Sequence, residues 1–372
     1  MKILHRHFLV LSGLMALAGC ASTLPDETPE QVLVPLFYVT DRATDTADDP
    51  PSIYGSERGQ VQFGRAKVAL SPRKEGESPF ADWSRWEPRA NGSRHRNELA
   101  TLSPLDPASF DAELRTAMPV EHGRSVFLYV HGFRRDFDVA AIDLASVVYE
   151  ADLQSLPVLF SWPSGTSVLG YAGDASSVRW ATNDLRDTIR HLLELPDVDT
   201  LHLAAHSLGN VGLLEALVRL SRDPDARLDK IGEIVLASPD VDTGLFQREY
   251  MDPLRSIGAR VTLYVTENDV PLQASQRVNR HERLGDASTE IFIGDGIETV
   301  VFSDVVTFMN SHDAIVEIGN VQADIHYLLE ERLGASERPS LEAVDTEDGR
   351  YWRLRDSQTC RNPAAGLDNC SH

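Results

Sequence analysis

From residue 125 onwards, short apolar runs alternate with longer segments of helical length. The apolar runs are Val126–Val130, Pro157–Phe160, Leu201–Ala205, Ile231–Ala237, Val261–Val265 and Val300–Phe302. The helical segments between and after them are Val139–Leu153, Asp174–Leu195, Val211–Ser221, Thr243–Ile257 and Ala314–Leu333. Near-continuous apolar strands are buried on both faces, and strand–helix alternation is typical of a parallel sheet covered by helices. The pattern therefore predicts an α/β fold with a mostly parallel central sheet and helices on both faces.

The sequence before residue 125 has a weaker pattern. Residues 32–40 form an apolar, β-branched run and residues 59–70 alternate apolar with polar positions, so both predict strands. Residues 71–118 are rich in Pro, Ser, Arg and Glu and have little periodicity, apart from one short helix expected near residues 108–118. We therefore interpret residues 71–118 as a long irregular insertion, a kind of segment that is usually functional or mobile.

The composition narrows the class of protein. The chain carries 57 Asp and Glu residues against 35 Lys and Arg, and its formal net charge of −22 repels nucleic-acid phosphate. Hydrophobic residues make up 42% and charged residues 25%, which argues against a disordered chain, a coiled coil or a multi-span membrane protein. Three cysteines are too few for a disulfide scaffold. We expect a folded globular protein that does not bind nucleic acid.

The first residues have the pattern of a secretory signal. The basic residues Lys2 and Arg6 precede a mainly apolar run, Phe8–Leu17, which is too short to span a membrane. The following Ala18-Gly19-Cys20 resembles the lipobox of bacterial lipoproteins. The resemblance implies a signal peptide over residues 1–19, removed on export, and a lipid anchor on Cys20. The alternative is an ordinary cleaved signal followed by an incidental cysteine.

The expected domain organisation follows from this anchor. Residues 20–31 form a polar, Pro-containing tether, residues 32–333 form the folded domain, and residues 334–372 form a polar tail. Since Ala21 and not Asp follows Cys20, the lipoprotein sorting rule favours the outer membrane facing the periplasm. In such a compartment Cys360 and Cys370 can form a disulfide within the tail. No CxxC pattern with histidines is present, so the sequence predicts no metal site.

The strongest local motif is Ala205-His206-Ser207-Leu208-Gly209. It follows an apolar strand and precedes a helical segment, which is the context of a nucleophile elbow. In that turn the residues two before and two after the serine must be small, and Ala205 and Gly209 are small. The helix N-terminus would also stabilise negative charge near the serine. The alternative is a serine that only caps an ordinary helix.

A second motif supplies donors for an oxyanion. Ester hydrolysis passes through a negatively charged tetrahedral intermediate that needs two preorganised N–H donors. In an elbow geometry one donor is the N–H after the serine, here Leu208, and the other comes from the loop after an earlier strand. The segment His131-Gly132-Phe133 has that place, so the Phe133 N–H is the second candidate. We interpret His131 as a histidine that braces this loop.

The acid and the base are expected after later strands. A serine hydroxyl needs a histidine base, and the histidine needs a carboxylate that fixes its tautomer. The order serine, acid, histidine is met by Ser207, Asp269 and His312, each beyond the end of a separate predicted strand. Asp240 and Asp304 also follow predicted strands and are alternatives for the acid.

Taken together, these motifs resemble those of the α/β-hydrolases. Within that superfamily the sequence is similar to a bacterial group of α/β-hydrolases of unknown function, often lipoproteins. The resemblance covers roughly residues 32–333. The matching segments are Val130-His131-Gly132-Phe133, Phe160-Ser161-Trp162-Pro163-Ser164, Ala205-His206-Ser207-Leu208-Gly209-Asn210, Ser238-Pro239-Asp240-Val241-Asp242, Leu263-Tyr264-Val265 and Asn268-Asp269. The resemblance implies an α/β-hydrolase fold and supplies no substrate.

The sequence therefore predicts a lipid-anchored serine hydrolase, most simply a carboxylesterase that needs no cofactor. The segment between Asp240 and Arg260 is too short for a large lid domain, which favours small or soluble acyl esters unless residues 71–118 form a cover. The same residues would serve a peptidase, a thioesterase or an amidase. A different class is a non-catalytic envelope lipoprotein that uses the fold as a binding surface. The sequence gives no oligomeric state.

Overall fold

The computed structural model describes residues 31–45, 53–72, 97–167, 170–267, 269–302 and 319–355. In these residues one mixed sheet runs through the molecule in the order β3-β2-β1-β5-β4-β6-β7-β8-β9-β11-β10. Its strands are β1 (Val32–Thr44), β2 (Tyr54–Leu70), β3 (Glu98–Leu105), β4 (Ser125–Val130), β5 (Leu156–Ser161), β6 (Thr200–His206), β7 (Ile231–Ala237), β8 (Arg260–Thr266), β9 (Ile297–Phe302), β10 (Leu341–Thr346) and β11 (Gly349–Leu354).

Eight neighbouring strands in the middle of this order are parallel to one another: β1, β5, β4, β6, β7, β8, β9 and β11. Antiparallel pairing is confined to the two edges, where β2 and β3 follow β1 and where β10 follows β11. All residues of β4, β5 and β6 are buried, as their apolar sequences require. Because parallel strands end at the same edge, the loops after β4, β6, β7 and β8 meet there.

Helices cover both faces of the sheet and divide the core into two clusters. They are α1 (Pro107–Ala117), α2 (Phe137–Glu150), α3 (Tyr171–Glu194), α4 (Gly209–Leu220), α5 (Thr243–Leu245), α6 (Met251–Ile257), α7 (Val270–Asn279) and α8 (Gly319–Leu329). Helices α2 and α8 lie on one face, and α1, α3, α4 and α6 lie on the other. Alternate residues of each strand reach the two clusters: Val126 and Leu128 contact one, and Phe127 and Tyr129 contact the other. This confirms the predicted α/β-hydrolase architecture.

The connection between β7 and β8 is short and helical. The single helix expected over residues 243–257 is divided by a π-helical turn, Phe246–Tyr250, between α5 and α6. Phe246 is fully buried against Phe292, with the ring centroids 5.3 Å apart. The connection thus packs onto the domain and forms no separate lid.

Two predicted boundaries were wrong. Within the supposed irregular insertion, residues 71–118, the expected short helix is present as α1, but strand β3 was not predicted and pairs with β2 along its length; residues 73–96 lie outside the described part. The supposed tail, residues 334–372, contains β10 and β11, and β11 pairs with β9. The folded domain therefore extends beyond residue 333, to at least Arg355.

A buried ion pair fixes this last segment to the sheet. Arg338 donates from Nη1 to the Asp324 carboxylate at 2.7 Å, and both side chains are fully buried. The same carboxylate accepts hydrogen bonds from the Tyr264 hydroxyl on β8 and from the Ser340 hydroxyl. Removal of either partner would leave a buried, unpaired charge, so we expect this ion pair to be needed for the last segment to pack on the sheet.

Candidate active site

Ser207 occupies the sharp turn between strand β6 and helix α4. Its φ angle is +50°, in the left-handed region that non-glycine residues rarely adopt. A side chain at Gly209 would place its Cβ 2.4 Å from the His131 carbonyl oxygen, so only glycine fits there. Ala205, two residues before the serine, is fully buried. The turn has the local geometry of a nucleophile elbow.

Hydrogen bonds from neighbouring elements hold the strained turn. The Ser207 N–H donates to the Ala237 carbonyl at 2.9 Å, and the Asp240 N–H donates to the Ser207 carbonyl at 3.2 Å. The side-chain amide of Asn210 donates to both of these carbonyl oxygens. Backbone strain of this kind costs of order 1–3 kcal/mol and persists only where the surroundings fix it.

The loop after β4 lies directly against the turn. A Cβ at Gly132 would lie 3.0 Å from the Cβ of Ser207 and 2.8 Å from Nδ1 of His206, so the glycine permits this approach. Within the residues that the structure describes, the N–H groups of Phe133 and Leu208 have no hydrogen-bond acceptor. Both N–H groups thus remain the candidate oxyanion donors.

His131 is part of the framework of this loop. Its ring is fully buried and stacks on Trp162, with the ring centroids 4.9 Å apart. Nδ1–H donates to the Gly132 carbonyl, which leaves Nε2 to accept from Arg42. Burial and the charge of Arg42 hold the pKa of His131 well below its usual value. A neutral, fully engaged ring braces the loop, as the sequence analysis expected.

The buried residue Arg42 was missed by the sequence analysis. It lies near the end of β1, and its guanidinium donates to the Ser161 hydroxyl and to the carbonyls of Ser164 and Arg135. Burial lowers its pKa to about 10. The contacts connect the ends of β1, β4 and β5, and no sequence pattern could reveal them because the partners lie about a hundred residues away.

The two described candidates for the acid have different surroundings. Asp269 is fully buried after β8, and its Oδ1 accepts from the Leu272 N–H as the N-cap of α7. Asp240, after β7, is also buried, but both of its oxygens accept hydrogen bonds from side-chain hydroxyls, those of Tyr171 and Ser275. Its Oδ1 also lies 3.3 Å from Nε of the buried Arg283. Asp240 is thus the centre of a polar network.

The remaining sequence candidates fall outside the described residues. These are His312, Asp304, Cys20, Cys360 and Cys370. Of the described histidines that follow Asp269 in the chain, His281 is exposed, and Nδ1 of His326 donates to the Ala151 carbonyl. In the described ranges, no group of three or more His, Cys, Asp or Glu side chains is arranged to hold a metal ion.

A cavity of about 580 Å³ lies beside the network of Asp240. Arg283 forms part of its wall and pairs with Asp240 on the other side, while Asp242, Asp286 and Phe292 contribute further wall. The segment that carries Arg283 is bound to the ends of two strands through the backbone of Gly285. The Gly285 N–H donates to the Pro239 carbonyl, and the Gly285 carbonyl accepts from the Thr266 N–H.

The fold and the turn at Ser207 define a protein of the α/β-hydrolase class. Residues 106–305, more than half of the chain, match the family described as "Alpha/beta hydrolase of unknown function (DUF900)", and the chain belongs to that family.

Among solved structures the chain is similar to the crystal structure of the gene lin2722 products from Listeria innocua. That match has a TM-score of 0.34 and 11% identity, and it covers 62% of this chain and 98% of that chain. No curated protein matches the chain. Among the described helices, none has the length and apolar character needed to cross a membrane.

Proposed function

We propose that the protein is a serine hydrolase of the carboxylesterase type, which acts on small or soluble acyl esters. The observation that carries this proposal is the strained backbone of Ser207, held between the start of α4 and the loop that contains Phe133. Such strain is expected where a side chain must be presented to a reacting ligand. A serine that only caps a helix needs no left-handed φ.

In the proposed mechanism, Ser207 Oγ attacks the ester carbonyl carbon while His312 accepts the hydroxyl proton. The Phe133 and Leu208 N–H groups stabilise the oxyanion, and Asp269 orients the imidazole and stabilises its cation. Collapse of the intermediate releases the alcohol, which takes the proton from His312, and leaves Ser207 acylated. Water then attacks the acyl-enzyme by the same steps, giving the carboxylic acid and restoring the serine.

The environments of the two carboxylates support Asp269 as the acid. Tyr171 donates to one oxygen of Asp240 and Ser275 donates to the other. The carboxylate also neutralises the charge of the buried Arg283. A histidine Nδ1–H bound to Asp240 would have to share an oxygen with Tyr171 or Ser275. Asp269 is fully buried just after β8, and its place in the chain after Ser207 and before His312 fits the order serine, acid, histidine.

The connection between β7 and β8 supports the proposed preference for small or soluble esters. Since α5, the π-helical turn and α6 pack onto the core, no lid domain encloses a long acyl chain there. The proposed place of action is the periplasmic side of the outer membrane, with Cys20 as the lipid anchor. This part of the proposal rests on the resemblance of Ala18-Gly19-Cys20 to a lipobox.

Fluorophosphonate labelling and ester turnover test the catalytic part. The purified full-length protein is treated with a fluorophosphonate probe and assayed with p-nitrophenyl acetate and butyrate. We expect one labelled serine, and Ser207→Ala should remove labelling and lower kcat at least about a thousandfold, since triad members act as a unit. Ser221→Ala, at the other end of α4, is the matched control and should behave as wild type. Equal turnover by a folded Ser207→Ala protein would disprove the mechanism.

A further inference from the structure

Tyr171, the first residue of α3, is fixed at both ends of its side chain. Its hydroxyl donates to Oδ2 of Asp240 at 2.9 Å, and its ring packs edge-on against Phe133, with the ring centroids 5.6 Å apart. The two partners come from different loops, one after β7 and one after β4. The tyrosine therefore connects two loops that meet at the carboxyl edge of the sheet.

Both partners of the tyrosine border the strained serine. The N–H of Asp240 donates to the carbonyl of Ser207. Phe133 follows Gly132, the residue whose Cα faces the Cβ of Ser207. Tyr171 therefore contacts one residue from each of the two loops that border the serine, Phe133 through its ring and Asp240 through its hydroxyl.

The hydroxyl of Tyr171 cannot easily leave this position. The Ser275 hydroxyl lies 3.0 Å away, and the side-chain amide of Asn279 donates to the tyrosine oxygen at 3.2 Å. Ser275 also donates to Oδ1 of Asp240. Burial raises the pKa of Tyr171, so the phenol stays neutral and remains a donor. Side chains of α7 thus hold the tyrosine in place in the absence of any ligand.

We propose that the Tyr171 ring is the wall that limits the length of the acyl group bound beside Ser207, and so selects short-chain esters. This inference rests on the proposed function and adds the residue that sets the substrate's size. An aromatic ring held by packing and by a buried hydrogen bond is a rigid boundary. Removal of the ring would leave apolar space for further methylene groups, each of which changes binding about fourfold when it is buried.

The test compares the acyl-chain profiles of variants at Tyr171. The full-length protein is assayed for kcat/KM with p-nitrophenyl acetate, butyrate, hexanoate and octanoate. Tyr171→Ala should raise the hexanoate-to-acetate ratio of kcat/KM at least about tenfold, which corresponds to about two additional buried methylenes. Tyr171→Phe keeps the ring and should keep the ratio within about threefold of wild type. Tyr171→Trp should shift the profile in the opposite direction, towards acetate.

A control substitution on the same helix distinguishes an effect of the Tyr171 ring from a general effect of changing α3. Trp180, further along α3, is partly exposed and carries the Arg58 guanidinium over its ring, 5.4 Å from the centroid. Trp180→Ala should leave both the profile and the rate unchanged. Since Tyr171→Ala could reduce folding, circular dichroism is recorded for each variant, and Tyr171→Trp decides the question if the alanine variant does not fold.

The outcomes distinguish this inference from the proposed function. Turnover that depends on Ser207, with equal acyl-chain profiles in wild type, Tyr171→Ala and Tyr171→Trp, would overturn the wall and leave the hydrolase intact. A Tyr171→Phe profile that matches Tyr171→Ala would also overturn it, because the ring would then not be the boundary. Absence of turnover and labelling in wild type would remove the proposed function and the inference together.

Discussion

Exchange of each candidate acid for its amide should separate catalysis from stability. Asp269→Asn keeps the size of the side chain and its N-cap to Leu272, because Asn and Asp cap helices about equally well. We therefore expect a free energy of unfolding within about 1 kcal/mol of wild type. An amide cannot hold the histidine tautomer, and the same exchange in a well-studied triad lowered kcat about 10⁴-fold.

Asp240→Asn should have the opposite result. The substitution removes the charge that lies 3.3 Å from Nε of Arg283, whose side chain is only 8% exposed. Loss of one partner of a buried ion pair costs about 3–5 kcal/mol. The new amide must also receive hydrogen bonds from Tyr171 and Ser275 with one oxygen in place of two. We expect a loss of stability of about 3 kcal/mol, and a kcat within about tenfold of wild type at a temperature where the variant is folded.

The assay measures both quantities on each variant. Urea unfolding followed by circular dichroism gives the free energy of unfolding, and hydrolysis of p-nitrophenyl butyrate gives kcat and KM. Asp240→Glu serves as a charge-conserving control that keeps part of the ion pair. If Asp240→Asn loses a thousandfold in kcat while Asp269→Asn stays active, the assignment of the two carboxylates is reversed.

Two further predictions concern pH and the membrane. Neither carboxylate oxygen of the fully buried Asp41 has a hydrogen-bond partner in the described residues, and burial, with a smaller effect of Asp184, raises its pKa from 3.8 to about 7. The folded state therefore binds this proton more tightly than the unfolded state does. The resulting contribution to the free energy of unfolding is complete below about pH 4 and is lost as the pH rises through 7. Asp41→Asn should gain stability relative to wild type between pH 4 and pH 8, by at most about 4 kcal/mol, and a difference that does not change with pH would contradict this. Cys20→Ser should move the protein from the membrane to the soluble fraction while the control Cys360→Ser stays in the membrane; a Cys20→Ser protein that resists carbonate washing would refute the lipid anchor.

The parts of the fold that sequence could predict are those with a periodic signal. Strands β4 to β9 are apolar runs, and the helices between them repeat the pattern expected for burial on a sheet. Strand β10, with the sequence LEAVDT, buries only Leu341, and β3 contains a proline, so neither has the alternation that identifies a strand. Their pairing with the sheet decides their structure, and a single sequence does not show that pairing.

The candidate site divides in the same way. Ser207 and the glycines that surround it follow a local spacing rule, which a sequence reveals because the turn itself requires small residues. The network of Tyr171, Asp240 and Ser275 obeys no such rule, since its members lie 69 and 104 residues from Tyr171 along the chain. Only the fold brings these hydroxyl groups to one carboxylate.

The direction of β1 determines which way a tethered molecule would face. Strand β1 is parallel to β5, and through β4 to β6, so its first residue, Val32, lies at the edge of the sheet opposite to Ser207. Eleven residues lie between Cys20 and Val32, and the twelve steps of an extended chain from one to the other reach about 40 Å at most. On the proposal that Cys20 carries a lipid, the tether would join the domain at the sheet edge opposite to Ser207, so the bilayer attachment would leave the loops around the serine unobstructed.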